Sequence, residues 1–223
     1  MENLQSTVLQ LLAGMKFTLA IFFLTLLISI PLGLLVARGR MSKNIVLSGI
    51  IRIYISVMRG TPLMLQLLIV YFAPWYLFQI SLRDLSIGDI DYRFVATIIG
   101  FSINYAAYFA EIFRGGIQSM PVGQYEAAQV LGFSKTQVFF RIIMPQVIKR
   151  VLPSVTNEVI TLVKDTSLAQ VLAVSEMFIA AKSLASAQVS VIPFIMAGVF
   201  YYLMNGIIEI SSNRLESKLN YYS

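Results

Sequence analysis

Charged side chains inside apolar segments are the residues of this sequence with the clearest capacity for chemistry. Lys164 and Asp165 stand side by side in the apolar stretch 157–174. An ionised side chain at the centre of a membrane helix costs about 2.5 to 3.5 kcal/mol on insertion scales, so it usually has a purpose. Adjacent helical residues point about 100° apart, so these two charges need not neutralise each other. Glu158 shares a helical face with Asp165, and for Glu158 a structural role is the favoured interpretation.

A second polar group follows the periodicity of a helix in another apolar segment. Asn104, Tyr108 and Glu111 have the four-plus-three spacing that aligns side chains on one helical face. Glu111 also lies three residues before Arg114, where the two side chains can form an ion pair. This face is therefore expected to be polar within an apolar helix.

Residues 121–145 are predicted to form two short helices separated by a break. Pro121 suits a first helical turn, where its missing N–H costs nothing, and Gly132 suits the position after the helix, where a positive φ is needed. Ser134 and Gln137 then have the spacing of a capping box, so a second helix is expected to start there and run toward Pro145.

Several kinds of chemistry are excluded by what the sequence lacks. It contains no cysteine and no histidine, which excludes disulfides, thiol chemistry and ordinary zinc sites. It has no G-x-x-x-x-G-K-[ST] loop to hold the phosphates of ATP. It also lacks H-E-x-x-H and G-x-S-x-G, so an intramembrane enzyme is disfavoured.

The composition indicates a membrane protein. Of the 223 residues, 57% are hydrophobic and 13% are charged, and the mean hydropathy is +0.77. The net charge of +6 comes from basic residues beside apolar segments, which favours orientation by the positive-inside effect over nucleic-acid binding. No linker or repeat divides the chain, so residues 1–223 are predicted to be one transmembrane domain of an all-α protein.

Five spans are predicted from the apolar segments. They are residues 14–37, 44–78, 93–113, 152–180 and 191–211, with a cytoplasmic loop at 114–150. As one straight helix the second segment would measure about 52 Å, too long for a simple span, so a bend at Pro62 is expected. Pro31 is a second candidate kink. No basic residue precedes Lys16, unlike a cleavable signal peptide, so the first span is expected to be retained.

Basic residues in the loops predict the orientation, with the N-terminus outside and the C-terminus in the cytoplasm. Those assigned to the cytoplasm are Arg38, Arg40, Lys43, Arg114, Lys135, Arg141, Lys149, Arg150, Arg214 and Lys218. Those assigned to the outside are Lys16, Arg83, Arg93 and Lys182, in loops that also carry Asp84, Asp89 and Asp91.

The pattern in the 114–150 loop resembles the EAA signature of ABC importer permeases. Its residues are Glu126-Ala127-Ala128, Gly132, Ile142 and Met144-Pro145, with Met144 where the family usually has Leu. Further matches resemble the branch that imports polar amino acids: Arg59-Gly60-Thr61-Pro62, Ala107 to Gly116, Gly123-Gln124, Pro145-Gln146 and Lys164 to Leu168. The alternative for residues 121–132 is an ordinary amphipathic helix at the membrane surface.

The resemblance implies a type I importer permease fold in a bacterial inner or plasma membrane. It implies that a coupling helix docks on a separate ATP-binding subunit, which would bind ATP and Mg²⁺, so no cofactor is expected in this chain. The coupling residues would be Gly123, Glu126, Ala127, Ala128 and Gly132. The implied partners are two ATPase subunits, a second permease (identical or homologous), an extracytoplasmic solute-binding protein, the amino acid and membrane lipid, but no nucleic acid.

The same resemblance implies a substrate path. The candidate contacts are Lys164, Asp165, Ser167, Asn104 and Gln66. A zwitterionic amino acid would offer its carboxylate to Lys164 and its ammonium to Asp165. Alternatively, these side chains pair with neighbouring helices and stabilise the bundle. For Arg59, packing at the bend and a gate are equally open.

A second class of function is a secondary transporter driven by an ion gradient, which would use intramembrane carboxylates as coupling sites. The EAA-like loop and the absence of an inverted repeat count against it.

Overall fold

Helices account for almost all of the structure. The computed structural model describes residues 2–80, 85–88 and 90–219. Within these ranges there is no β-strand, and an isolated bridge joins Ile87 and Ile90. The predicted all-α class is confirmed for this part of the chain. Arg83, Asp84 and Asp89, which we assigned to an outer loop, lie outside the described residues.

The helices follow one another with short connections. They are α1 (Glu2–Arg40), α2 (Ile45–Gly60), α3 (Leu63–Phe78), α4 (Tyr92–Gln118), α5 (Val122–Val130), α6 (Lys135–Gln137), α7 (Met144–Asp165), α8 (Met177–Gln188) and α9 (Ile192–Leu219). A π-helical turn, Val138–Ile143, joins α6 to α7, and a 3-10 helix, Thr166–Leu172, follows α7.

Three described helices, α1, α4 and α9, are long and apolar enough to cross a membrane. Two bent segments bring the number to five if each counts as one span: α2 with α3, and residues 135–172 with α8. This range accommodates the predicted five spans. The count and the orientation of the termini stay predictions.

Helix α4 is the centre of the bundle, because most of its side chains are buried. Phe101 and Phe109 have no exposed surface, and both ends of α4 pack against other helices. Helix α1 crosses it closely at Gly33, where an added Cβ would lie 2.8 Å from Cβ of Phe109. Glycine is therefore required there by close approach and not by backbone conformation.

Helix α1 begins much earlier than the predicted span of 14–37. It starts at Glu2 and continues without interruption through Pro31 to Arg40. Leu11 is fully buried in a cluster with Met177 and Ala181, so packing against α8 stabilises the extra turns. Hydropathy predicts the span but not a helix that extends beyond it.

The predicted bend at Pro62 is confirmed. Helices α2 and α3 meet at an angle of 114°, with Thr61 and Pro62 in extended conformation between them. Proline is disfavoured in a helix interior and also restricts the residue before it, which explains why both residues leave the helix.

The later helices differ from the predicted ones in two ways. The helix that starts after Ser134 does not end toward Pro145 but continues to Asp165 through the π-helical turn. The predicted span 152–180 is also not one continuous helix, because the chain bends by 63° between Leu172 and Met177. Ala173 adopts a positive φ of 54° there, and Glu176 accepts from two backbone N–H groups of α8, which starts a new helix.

Candidate functional site

A polar cavity of about 360 Å³ lies where the α2–α3 bend meets α4 and α7. Its lining residues are Thr61, Pro62, Leu63, Asn104, Tyr105, Tyr108, Glu158, Thr161 and Asp165. Two of the five predicted substrate contacts, Asn104 and Asp165, are among them. The cavity therefore joins residues from three separate regions of the sequence.

Asp165 is held at the cavity by α4. The hydroxyl of Tyr105 donates to its Oδ2 over 2.7 Å, and Tyr105 is itself only 2% exposed. The bond joins residues that are far apart in sequence and fixes the last turn of α7 against α4. One carboxylate oxygen is therefore committed to the bundle, and Asp165 combines a structural contact with a position on the cavity wall.

Asn104 and Gln66 form a buried amide network behind the cavity. Nδ2 of Asn104 donates to Oε1 of Gln66 over 2.8 Å and to the carbonyl oxygen of Met58 over 3.0 Å. Nε2 of Gln66 donates to the carbonyl oxygen of Thr61 over 3.1 Å. The network satisfies backbone carbonyls that the α2–α3 bend leaves without helical partners. Gln66 does not line the cavity.

Lys164 and Ser167 lie apart from the cavity lining. The Lys164 side chain is exposed, on the face of α7 next to that of Asp165. The hydroxyl of Ser167 donates to the backbone carbonyl of Lys164 over 2.8 Å, within its own helix. The structure of the single chain therefore does not bring Lys164 and Asp165 to one ligand.

Seven of the nine lining residues were not predicted as ligand contacts, and Tyr108, Glu158 and Thr161 are among them. The Glu158 carboxylate is half-buried and forms no hydrogen bond or ion pair within the described chain. Glu158, Thr161 and Asp165 have the three-plus-four spacing of one helical face. That spacing is visible in the sequence and could have indicated the cavity wall.

The polar face predicted on α4 is confirmed, and its members contact different groups. The guanidinium of Arg59 lies over the Tyr108 ring, 5.4 Å from its centroid, which is a cation–π geometry. The guanidinium of Arg114 donates to both carboxylate oxygens of Glu111 over 2.6 and 3.0 Å, as the spacing predicted.

The break in the cytoplasm-assigned segment lies where the sequence predicted it, but α5 begins one residue later than expected. Pro121 precedes α5 in extended conformation and is not part of its first turn. Gly132 has a φ of 81°, which glycine adopts without strain. Ser134 and Gln137 form both halves of the capping box. Local sequence thus defines both edges of the break.

The exposed surface of α5 differs from the predicted one. Gly123, Glu126, Ala127 and Gly132 are exposed, but Ala128 is only 3% exposed. The methyl group of Ala128 packs inside the chain, so Ala128 is not part of the exposed surface, and its role in coupling stays a prediction. Three apolar residues that we did not predict extend the exposed surface: Val122, Val130 and Leu131, which are 69, 87 and 74% exposed. We call these three residues with Glu126 and Ala127 the docking surface.

Comparison with known proteins identifies the family. Residues 29–221 match the family described as "Binding-protein-dependent transport system inner membrane component". The chain belongs to this family. This permease is 31% identical to the L-cystine transport system permease protein of Bacillus subtilis (strain 168), over 94% of this chain and 86% of that protein. It is 36% identical to the nopaline transport system permease protein of Agrobacterium fabrum, over 90% and 83% of the two chains.

A solved structure supports the fold of this permease. A chain from the crystal structure of an amino acid ABC transporter with histidines aligns with a TM-score of 0.84 at 29% identity, over 96% of both chains. The resemblance to amino acid ABC transporter permeases is thereby confirmed. The protein is a multi-pass membrane permease, a subunit of a transport system.

Proposed function

We propose that this permease carries an amino acid with a cationic side chain through the bacterial inner membrane. A separate ATPase would drive this transport through α5. Two carboxylates on one cavity wall are the observation that carries the substrate class. Asp165 and Glu158 both line the cavity, whereas neither Lys164 nor another cationic side chain belongs to its lining. An ammonium or guanidinium would compensate this charge in a low-dielectric site.

The cavity offers contacts for the remainder of such a substrate. Tyr108 and Thr161 present hydroxyl groups, and Asn104 presents an amide. Arg59, held over the Tyr108 ring, is the nearest candidate to bind the substrate carboxylate. The relatives are named for L-cystine and nopaline, and the solved transporter structure contains histidines. These names are consistent with an amino acid substrate and do not decide which one.

Coupling to a partner ATPase is proposed from the docking surface. An exposed cluster of Val122, Val130 and Leu131 beside a carboxylate favours a protein contact over water. The sequence lacks a phosphate-binding loop, so ATP and Mg²⁺ would bind to the partner. Family membership supports a complex of two ATPase subunits, a second permease (identical or homologous) and a solute-binding protein.

Uptake by reconstituted complexes tests this function. The permease, copurified with its ATPase and second permease, would be placed in proteoliposomes with the binding protein, and uptake of labelled cationic, neutral and acidic amino acids measured. We expect ATP-dependent uptake that is highest for a cationic amino acid. Uptake that needs an ion gradient and ignores ATP would favour a secondary transporter, in which the paired carboxylates of Glu158 and Asp165 would bind the coupling ion. ATP-dependent uptake of acidic amino acids alone would contradict the substrate class.

A further inference from the structure

The first turns of α7 contact the segment that carries the docking surface. Gln146 and Arg150 are four residues apart and therefore share one face of α7. Gln146 reaches α5, and Arg150 reaches the residue that ends α4. Both ends of the short connection into α5 are therefore attached to the same helix.

The contact between α5 and α7 is a reciprocal amide pair. Nε2 of Gln146 donates to Oε1 of Gln124 over 2.8 Å, and Nε2 of Gln124 donates to Oε1 of Gln146 over 3.0 Å. Nε2 of Gln146 also donates to the carbonyl oxygen of Ile142 over 2.8 Å, inside the π-helical turn. Two antiparallel bonds between planar amides fix orientation as well as distance.

Arg150 supplies the second attachment. One guanidinium nitrogen, Nη1, donates to the Ser119 carbonyl oxygen over 2.7 Å and to its hydroxyl over 3.0 Å. Ser119 is the C-terminal cap of α4, where carbonyls lack helical partners and the helix dipole favours a cation. The charged donor makes this bond stronger than a neutral one.

The buried side chain of Ala128 adds an apolar packing contact to these polar contacts. Helix α5 packs on the π-helical turn, where Val138 and Ile143 are buried. A helix of nine residues would be marginal alone, and tertiary contacts must hold it in place. The side of α5 opposite the docking surface is therefore the side fixed to α7.

We propose that Gln146 and Arg150 are positioning residues that clamp α5 to the cytoplasm-assigned end of α7, so that the two helices move as one body. Helix α7 also carries Glu158 and Asp165, and from Gln146 to Asp165 it is about 28 Å long. A displacement of the docking surface would then reach the cavity wall directly through α7. The inference rests on the proposed function for its transport readout.

Alanine variants test the amide pair. We expect Gln124→Ala and Gln146→Ala each to raise the ATP consumed per amino acid transported about three- to tenfold, as loss of two hydrogen bonds allows. The double variant should equal the single variants, because the pair acts as a unit. Gln129→Ala is the matched control, since Gln129 is an exposed glutamine on the same helix. Variants that couple as well as the Gln129→Ala control would contradict the clamp.

Reversible cross-linking is the sharper test, because the sequence contains no cysteine. Cysteines at positions 124 and 146 would be joined by a short bifunctional methanethiosulfonate reagent, with each single-cysteine variant as a control. The unlinked double-cysteine variant lacks the amide pair, so it should show the raised ATP consumption of the alanine variants. We expect the link to bring uptake and the ATP consumed per amino acid back to within about twofold of the unaltered permease, since a rigid body tolerates a link inside it. Loss of uptake that a reductant restores would show that α5 moves against α7 and would overturn the proposal.

A second cysteine pair verifies that the reagent can stop the cycle. Thr61 at the α2–α3 bend and Thr161 on α7 both line the cavity, and linking cysteines at these two positions should block uptake. Failure of the proposed function is distinguishable from failure of the clamp. If the proposed function is wrong, the unaltered complex shows no ATP-dependent uptake. If the clamp is wrong, the unlinked complex transports and the 124–146 link stops it.

Discussion

The docking segment and the cavity differ in the sequence distance between the residues that form them. In the docking segment, residues 121–137, the break that follows α5 is shaped by local interactions: Ser134 and Gln137 cap each other, and Gly132 turns the backbone. In the cavity, the bonds join distant residues, such as Asn104 with Gln66 and Tyr105 with Asp165. The first region presents its characteristic side chains outward, whereas the second presents them inward.

This contrast indicates how the two regions would fail. A change in the docking segment should leave the bundle and its cavity intact and alter only what a partner contacts. A change in the cavity should alter which ligand binds, or weaken the bundle, and leave the docking surface unchanged. Substitutions that fail to separate these effects would show that the two regions are not independent.

The largest effect is expected from Gly132→Pro. The backbone there has a φ of 81°, and proline is fixed near about −65°, so the break must refold and α5 must reorient. We expect uptake to fall more than about tenfold. The measurement is uptake in proteoliposomes, with the amount of membrane-inserted permease determined in parallel.

Gly115→Ala is the control for this change, because an added Cβ at Gly115 meets no neighbour and the residue is helical. Its uptake should match the unaltered permease. Normal coupling in Gly132→Pro would contradict the role of the break in directing α5.

Asp165→Asn should produce the next largest effect. It should weaken binding of the amino acid and leave coupling to the ATPase unchanged. The asparagine oxygen can still accept from Tyr105, so the bundle keeps its bond while the cavity loses one negative charge. We expect the amino acid concentration that half-maximally stimulates the ATPase to rise about tenfold for a cationic substrate, the size of one charge-assisted contact.

Tyr105→Phe makes the reciprocal change and serves as the comparison. It removes the hydrogen bond and leaves the carboxylate, so stability should fall by about 1 kcal/mol while substrate preference persists. If both variants need the same amino acid concentration to half-maximally stimulate the ATPase, the charge of Asp165 does not determine substrate binding.

Gln66→Ala should act on stability rather than on the ligand. It leaves one N–H of the Asn104 amide and the Thr61 carbonyl without the partner that Gln66 supplied, which costs about 1 to 3 kcal/mol. The unfolding temperature of the detergent-solubilised permease should therefore drop by several degrees, roughly 2 to 4 °C for each kcal/mol in a chain of this size. Gln129→Ala should leave it unchanged, and an equal drop in both would show that the amide network contributes nothing.

The same contrast explains what the sequence could predict. The break around Gly132 and the capping box were predictable, because each depends on residues a few positions apart. The bend at Pro62 was predictable because proline excludes itself from a helix interior. Side-chain orientation was not: a pair of alanines does not reveal that Ala128 faces inward while Ala127 faces outward.

The cavity was predicted only in part, because its formation depends on packing between helices. Charge in an apolar span indicated both Asp165 and Lys164 as substrate contacts. Asp165 lies on the cavity wall, and Lys164 lies elsewhere. Gln66 and Asn104 were predicted as substrate contacts, but both are buried amides, and of the two Asn104 lines the cavity. That they bind each other and the bend depends on where α3 meets α4, which no local pattern specifies.

Lys164→Met should have the smallest effect, and it tests the boundary between the two regions. Lys164 is exposed and absent from the cavity lining, so removing its charge should change uptake by less than about twofold, the range of a surface charge. The comparison is with Asp165→Asn in the same uptake assay. An effect as large as that of Asp165→Asn would mean that the exposed face of α7 joins the substrate path once the second permease is bound. The cavity would then be half of a site completed across the permease pair, and Lys164 would supply a cation in addition to Arg59, which lies over the ring of the wall residue Tyr108.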